Sequence, residues 1–202
     1  MAAQDLAFDE VTETVTATVT FNAAGVYNVC IYGVDSLGNI GPANCDLLIA
    51  VYDPAAGFVT GGGWFTSPIG AYKPDPTLTG KANFGFVSKY QKGASIPTGE
   101  TEFQFKAGNL NFHSDVYEWL VVSGPLAQYK GTGSINGTAG YSFLLTATDG
   151  QVSGGGGVDR LRIKIWNTGS GGVVYDNILA PDGDKMTVGN TLPINGSIII
   201  HK

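Results

Sequence analysis

The sequence predicts an all-β protein, and three observations lead to that class. Glycine is frequent, at 30 of 202 residues, while charged residues reach only 14%. The runs between the glycines are rich in Val, Ile, Thr, Tyr and Phe, which suit pleated strands, and glycine supplies the positive φ of tight turns. No run shows the i, i+3, i+4 apolar recurrence of a helix. We expect a partial immunoglobulin-like β-sandwich segment followed by a larger β-sandwich or β-roll domain.

Charge and hydropathy exclude several partners. The formal net charge of −6 and the eleven scattered basic residues argue against nucleic acid, because phosphate neutralisation needs clustered Lys and Arg. No stretch approaches the roughly 20 apolar residues of a membrane helix, so we expect no membrane-spanning segment. The first residues lack the regions of an export signal, and we expect any such signal to lie outside this chain.

Residues 1–53 form the first block, which contains three strand-like runs at 11–21, 25–34 and 45–52. Apolar side chains alternate with threonine in the first run, which predicts a half-buried strand. A turn at 35–39 separates the second and third runs, since its Gly and Asn suit left-handed backbone.

The string GVYNVCIYGVDSLGNIGPANCDLLIAVYD at residues 25–53 resembles the last strands of polycystic-kidney-disease-like and other immunoglobulin-like repeats of bacterial surface proteins. The resemblance implies that residues 1–53 are the tail of such a repeat. The middle run is apolar on both faces, and a complete sandwich covers such a strand with about seven strands. We therefore expect residues 1–53 not to fold alone.

A linker is predicted at residues 54–57, because Pro54 cannot continue a central strand and small residues follow it. Residues 58–202 then form a glycine-rich β-sandwich domain. Glycine, Asn and Asp turn signals separate about nine strand candidates in it. The clearest are residues 83–90, 101–106, 117–122, 141–148, 160–166, 173–176 and 197–201.

This second block carries strings such as FVTGGGWFTSPIGAY, LTGKANFGFVSKYQKGA, PTGETEFQFKAGNLNFHS, YKGTGSINGTAGYSFLLTATDG and GGGGVDRLRIKIW. Together they resemble the domain that follows choice-of-anchor and immunoglobulin-like regions in bacterial secreted proteins. The match spans about 145 residues in order. It implies a place in a large exported protein, and it brings no catalytic residues with it.

The two cysteines are predicted to pair. Cys30 and Cys45 lie 15 residues apart on adjacent predicted strands with one turn between them, which brings the strands within reach. Export to an oxidising compartment permits the bond. Two cysteines without zinc-type spacing do not make a metal site. We expect one disulfide that clamps the end of the first block.

The loop 149–159 is the best candidate for ligand chemistry. Asp149 and Asp159 flank a glycine-rich segment whose carbonyl oxygens could join them around Ca²⁺, and Asp176 is a further candidate ligand. The segment satisfies G-G-x-G-x-D only once, however, and stacked calcium rolls need neighbouring copies. An ordinary hairpin is therefore the preferred interpretation and a structural calcium site the alternative. No other cofactor is expected.

Catalytic patterns are weak. His113, Ser114 and Asp115 contain the residue types of a hydrolase triad, yet neighbours on a strand point to opposite faces. No second carboxylate pair accompanies Glu100 and Glu102 across a cleft. We expect no enzymatic activity.

Several aromatic residues could stack on a sugar, namely Trp64, Tyr72, Trp119, Trp166 and Tyr175. In the run 160–166 the residues Leu161, Ile163 and Ile165 should face inward. Trp166 would then share the outer face with Arg162 and Lys164. This predicts an exposed ligand-binding patch, and cross-strand cation–π packing is the alternative.

The expected function is a non-catalytic structural or adhesion module of a secreted or cell-surface protein. Two alternatives stay open. One is a carbohydrate-binding module of a secreted enzyme, with polysaccharide as its partner. The other is a subunit of an extracellular filament, in which neighbouring copies exchange β-strands.

Overall fold

The structure is a computed structural model that describes residues 2–3 and 14–202, and it confirms the all-β class. Two single-turn 3-10 helices, Lys106–Gly108 and Val188–Asn190, are the helical elements of this described part. The strands are β1 (Ala2–Ala3), β2 (Val15–Thr16), β3 (Gly25–Ile31), β4 (Asn44–Val51), β5 (Phe58–Ser67), β6 (Gly80–Tyr90), β7 (Pro97–Phe105), β8 (Leu110–Ser123), β9 (Leu126–Ile135), β10 (Thr138–Thr148), β11 (Arg160–Asn167), β12 (Val173–Asp176), β13 (Leu192–Pro193) and β14 (Asn195–His201).

One antiparallel sheet dominates the structure, in the order β12-β11-β10-β9-β8-β7-β6-β5-β14. Eight consecutive strands, β5 to β12, form a meander, since each strand pairs with the next. Some of these strands are joined by short Gly and Asn turns, whereas residues 68–79 and 149–159 form longer connections. Asn136 and Gly137 join β9 to β10 with φ of 51° and 80°, the left-handed values that a two-residue hairpin turn needs.

The two ends of this sheet meet. Leu192 in β13 pairs with Leu161 in β11, and a few residues later Ile200 in β14 pairs with Val59 in β5. Residues 192–201 thus bridge the last long strand to the first. Further along the same edge of β11, strand β12 bonds to the segment after β5, where the Asp176 N–H donates to the Ala71 carbonyl at 3.0 Å. The meander therefore closes into a roll.

Aromatic rings fill the inside of the roll. The side chains of Phe103, Phe112 and Phe143 have no exposed surface, and Tyr129 lies among them. The Thr101 hydroxyl lies 2.7 Å from the Tyr117 hydroxyl and 2.8 Å from that of Tyr129. Burial raises the pKa of Tyr129 well above its usual range, so this hydroxyl stays neutral. A large apolar core stabilises the second block.

The strand predicted at residues 11–21 is wrong in its described part. Residues 11–13 lie outside the described residues, and within 14–21 only Val15–Thr16 forms a strand, paired with Ala2–Ala3. Val19 is exposed. An alternating pattern makes a half-buried strand only where a neighbouring strand accepts its hydrogen bonds and a second layer covers its apolar side.

The N-terminal hairpin, β3 with β4, matches the other two predicted runs. Gly25 pairs with Val51, and the register shifts between Val29 and Ile31. The predicted disulfide is confirmed: Cys30 and Cys45 are bonded, with their Cα atoms 4.0 Å apart. The disulfide joins the two strands at the register shift, because Cys30 lies between Val29 and Ile31.

The turn at the tip of this hairpin is held by one carboxylate. Asp35 Oδ1 accepts from the N–H groups of Leu37 and Asn39 at 2.9 and 2.8 Å. The Asn39 side-chain amide donates to the other oxygen at 2.7 Å, and these bonds lower the pKa of Asp35. Gly38 has a φ of 87°, as the turn requires.

The hairpin lies against the outer side of the roll. The Tyr52 ring stacks on Tyr90 with centroids 5.2 Å apart, and the Tyr52 hydroxyl donates to the Ser95 carbonyl at 3.3 Å. Strands β3 and β4 also contact β8, where Val121 is buried outside the main core. The segment between β4 and β5 is a tight turn, in which the Ala56 N–H donates to the Asp53 carbonyl at 3.0 Å.

The described part of the chain contains no helix long and apolar enough to cross a membrane.

Separate expression of the two blocks should distinguish a self-sufficient roll from a dependent hairpin. We expect residues 58–202 to melt cooperatively, because they contain the closed sheet and its core. Residues 1–53 should show no cooperative transition, since Ile31, Tyr32 and Val34 are exposed even with the roll present. Thermal melts followed by circular dichroism test this, and a monomeric 1–53 fragment that melts cooperatively would contradict it.

Candidate ligand-binding surface

The carboxylates predicted as calcium ligands hold the C-terminal strand. Asp159 Oδ1 accepts from the Gly150 N–H at 2.8 Å, and its Oδ2 accepts from the Ile198 N–H at 2.8 Å. Asp149 Oδ2 accepts from the Ile200 N–H at 2.9 Å. Both side chains therefore bond along the edge of β14 that does not pair with β5, and they act there as a substitute for a strand.

The loop between these two aspartates has a defined conformation. The Gly157 N–H donates to the Gly150 carbonyl at 2.9 Å, and Asp149 Oδ1 accepts from the Gln151 N–H at 2.9 Å. A side chain at Gly155 would lie 2.1 Å from the Asp149 carbonyl oxygen, so packing demands glycine there. Among the described residues no group of three or more His, Cys, Asp or Glu could hold a metal ion. A calcium site at this loop stays a prediction.

The third predicted ligand, Asp176, belongs to a buried ion pair. Its two oxygens accept from the Arg162 Nε and Nη2 at 3.1 and 2.8 Å. Arg162 also donates to the Gly183 carbonyl at 2.9 Å and to Asp184 Oδ1 at 3.0 Å. The two carboxylates compensate the charge of the buried guanidinium, and together with the carbonyl oxygen they accept its hydrogen bonds.

The prediction that Arg162 lies in an exposed patch is wrong, because the side chain is only 1% exposed. Its place on the outer face of β11 agrees with the alternation of the strand. That face is covered, however, by residues 177–191, which we call the covering loop. The Gln128 side chain on β9 donates to the Asp184 carbonyl at 3.0 Å and helps to hold the loop in place.

The other two patch residues lie beside the covering loop. Lys164 Nζ lies 5.4 Å from the centre of the Trp166 ring and 2.8 Å from Asp184 Oδ2. Both side chains are half-buried. A cleft of about 240 Å³ separates this face from the N-terminal hairpin, with Lys164, Asp184, Asn28 and Leu48 in its lining. A cation–π contact is thus present, but it joins two residues of the same strand and not of neighbouring strands as predicted.

The residues of the weak triad pattern do not converge. The His113 ring lies 3.5 Å from Glu102. Ser114 Oγ accepts from the Thr101 N–H at 2.8 Å, which fixes it at the junction of β7 and β8. The serine hydroxyl is thus bonded to the backbone of the neighbouring strand.

The opposite side of the roll carries no covering segment among the described residues. Its outward side chains on β14, β5, β6 and β7 are exposed or half-buried, and we call this surface the bare face. Cross-strand pairing sets them in rows. One row contains Asn195, Trp64, Asn83 and Gln104, and the row two residues further along contains Ser197, Gly62, Gly85 and Glu102.

Trp64 distinguishes the bare face from the covered one. All three tryptophans lie in the described part of the chain, and Trp64 is exposed, at 36%, whereas Trp119 and Trp166 are half-buried. Lys81 Nζ lies 4.8 Å from the centre of the Trp64 ring, a cation–π contact that helps to hold the indole in place.

Next to Trp64 the bare face has a depression. Gly62 and Gly85 are cross-strand partners, so two neighbouring positions lack side chains. A groove of about 170 Å³ runs beside Gly85, with Val87, Glu100 and Glu102 along it. The surface thus combines a flat apolar ring, neutral amides, two carboxylates and an open depression.

Comparison of the chain with family models, with curated proteins and with solved structures gave no match.

The sequence pattern singled out Trp166 as the exposed tryptophan, whereas Trp64 is the more exposed of the two in the structure. Trp166 stood out because two cations share its strand face, whereas Trp64 was one of five aromatic candidates. The sequence directly before Trp64 does carry a signal, because three consecutive glycines, Gly61, Gly62 and Gly63, interrupt a strand. Such a run within a strand marks a close backbone approach or an open surface.

The role of the aspartates can be tested by removing one of them. Asp159→Ala leaves the N–H groups of Gly150 and Ile198 without their acceptor, and we expect a loss of about 3 kcal/mol in the free energy of unfolding. Asp182→Ala, which breaks only an exposed pair with Lys185, is the control and should change little. Urea unfolding measures both. Equal losses would contradict the closing role, and a Ca²⁺-dependent rise in melting temperature that Asp159→Ala abolishes would support the calcium prediction.

Proposed function

We propose that this chain is a non-catalytic module of a secreted or cell-surface protein, and that it acts by contact as an adhesion or structural unit. The unequal cover of the roll carries this proposal. The N-terminal hairpin and the covering loop shield part of the outer face of β8 to β11, while the bare face stays open to a partner. Protein surfaces that hold exposed aromatic and polar groups together are typical of binding.

Two further observations favour contact over catalysis, and a third fits an extracellular location. Asp149, Asp159 and Asp176 are engaged in closing the roll and pairing Arg162. Aromatic side chains occupy the interior, where a substrate pocket of a rolled sheet would lie. The disulfide is compatible with an extracellular, oxidising compartment.

The resemblances noted in the sequence agree with this proposal. Residues 58–202 would be the domain that follows choice-of-anchor and immunoglobulin-like regions of secreted proteins. Residues 1–53 would be the last strands of a preceding repeat. The position of the hairpin on the roll would then set the orientation of one domain on the next.

Blocking the bare face should abolish binding. We would attach a polyethylene glycol chain to the variant Lys89→Cys, whose side chain lies on the bare face, and to Lys185→Cys on the covering loop as the charge-matched control. Retention on cellulose, chitin and gelatin beads is then compared. We expect the Lys89→Cys conjugate to lose the retention that the control keeps. Absence of retention on every bead, or equal losses in both conjugates, would overturn the proposal.

Assembly by strand pairing is a second candidate, favoured by the open edge of the N-terminal hairpin. Strand β3 pairs with β4 and with no other strand that the structure describes. Ile31 and Leu47 on this hairpin are exposed. An edge of this kind can accept a strand from another copy of the chain.

Light scattering over a range of concentrations tests this second candidate. We expect the full chain to form oligomers that grow with concentration. The fragment 58–202 is the control and should stay monomeric, because the two ends of its sheet are already joined. A full chain that stays monomeric throughout would contradict assembly through the hairpin.

A further inference from the structure

We propose that the bare face holds a binding site for a neutral glycan, centred on Trp64 and on the depression at Gly62 and Gly85. The inference rests on the proposed function, since it names the ligand class of the contact surface. Four properties of the described residues support it: the placement of the glycines, the exposed indole, the surrounding polar groups and the charge.

The two glycines of the depression are not required by the fold. A Cβ atom at Gly85 would meet no atom within 4 Å, and at Gly62 the nearest atom would lie 3.8 Å away. Neither residue has a positive φ. Glycine within a strand is destabilising by roughly 0.5–1 kcal/mol relative to alanine. Neither packing nor backbone conformation requires this cross-strand pair of glycines. We infer that the pair keeps the outer surface open at this point.

Neighbouring glycines show the contrast. A Cβ atom at Gly61 would lie 2.4 Å from the Phe86 ring, and one at Gly63 would lie 2.4 Å from the Asn195 carbonyl oxygen. Packing therefore demands glycine at these two positions. Gly62 stands between them and faces outward, where a side chain would fit without any clash.

Trp64 borders the depression. It lies on the same side of β5 as Gly62, two residues away, and its ring is exposed at 36%. A flat indole offers an apolar face against which the C–H groups of a pyranose ring can pack, while its N–H remains a donor. An exposed tryptophan beside an open depression is the arrangement that a planar ligand requires.

Polar groups around the depression suit hydroxyl groups. Asn83 and Gln104 follow Trp64 in one row, and Asn195 precedes it. Side-chain amides both donate and accept, as sugar hydroxyls do. Glu102 pairs with Gly85 in the next row and supplies acceptors at the far end.

The charge of this face points to a neutral ligand. Lys81 and Lys89 lie on the outward side of β6 and offset Glu100 and Glu102 on β7, so this face carries no excess of positive charge. Glu100 and Glu102 are both exposed and flank the groove itself. An anionic glycan would meet repulsion from these carboxylates. From strand spacing, the Trp64 and Glu102 Cα atoms are about 12 Å apart, which suits a short oligosaccharide rather than a single sugar.

Binding of soluble neutral oligosaccharides, first on a glycan array and then by calorimetry, tests the inference with two variants. Trp64→Ala should weaken binding about tenfold or more, in line with the loss of about 1.4 kcal/mol. Gly85→Thr should block the depression, because the side chain fills it. The melting temperature of Gly85→Thr should stay the same or rise, since threonine suits a strand better than glycine.

Trp166→Ala is the matched control, because Trp166 also carries a lysine over its ring but lies on the covered side. It should leave the affinity within about twofold of the original chain. Loss of binding in Gly85→Thr with an unchanged melting temperature would assign the effect to the surface and not to the fold.

The outcomes separate this inference from the proposed function. Array binding that Trp64→Ala and Gly85→Thr leave intact would overturn the glycan site, as would preferential binding of anionic glycans. Failure to bind any array glycan, together with bead retention that depends on the bare face, would overturn the glycan class alone. Absence of any bead retention that depends on the bare face would overturn the proposed function itself.

Discussion

Closure of the sheet on itself is the constraint on which the rest of the structure depends. Where a strand edge has no neighbouring strand, side chains supply the missing hydrogen bonds. Asp149 and Asp159 accept the N–H groups of Ile200 and Ile198 along the outer edge of β14. Buried N–H groups without acceptors destabilise a fold by about 1–3 kcal/mol each. The two aspartates thus stabilise the short strand β14 at the point where it closes the sheet.

The same device operates on β11, whose outer edge is shared between β12 and β13. In the gap between them the Asn177 side chain accepts from the Ile163 N–H at 2.7 Å and donates to the Leu161 carbonyl at 2.9 Å. An amide supplies one donor and one acceptor, as a strand residue would. Asn177 also begins the covering loop, so completion of the ladder and cover of the outer face come from one segment.

The outer surface of the roll is covered mainly on one side. Arg162 fixes the covering loop through the Gly183 carbonyl and the Asp184 carboxylate, and the N-terminal hairpin lies beside it. The bare face has no comparable cover among the described residues. Glycines 61–63 and 85 of β5 and β6 fall into two groups, those that packing demands and those that only the open surface explains. This division separates a candidate site from ordinary sheet construction.

The sequence by itself determined the all-β class, the strand runs of the second block and the disulfide. It could do so because strand alternation, turn residues and the spacing of two cysteines are local properties of the chain. It also placed Arg162, Lys164 and Trp166 correctly on the outer face of β11. Only the tertiary structure decided which outer faces are covered, since cover depends on segments distant in the chain. For that reason the exposed tryptophan is Trp64, which lies about one hundred residues before the one that the local pattern favoured.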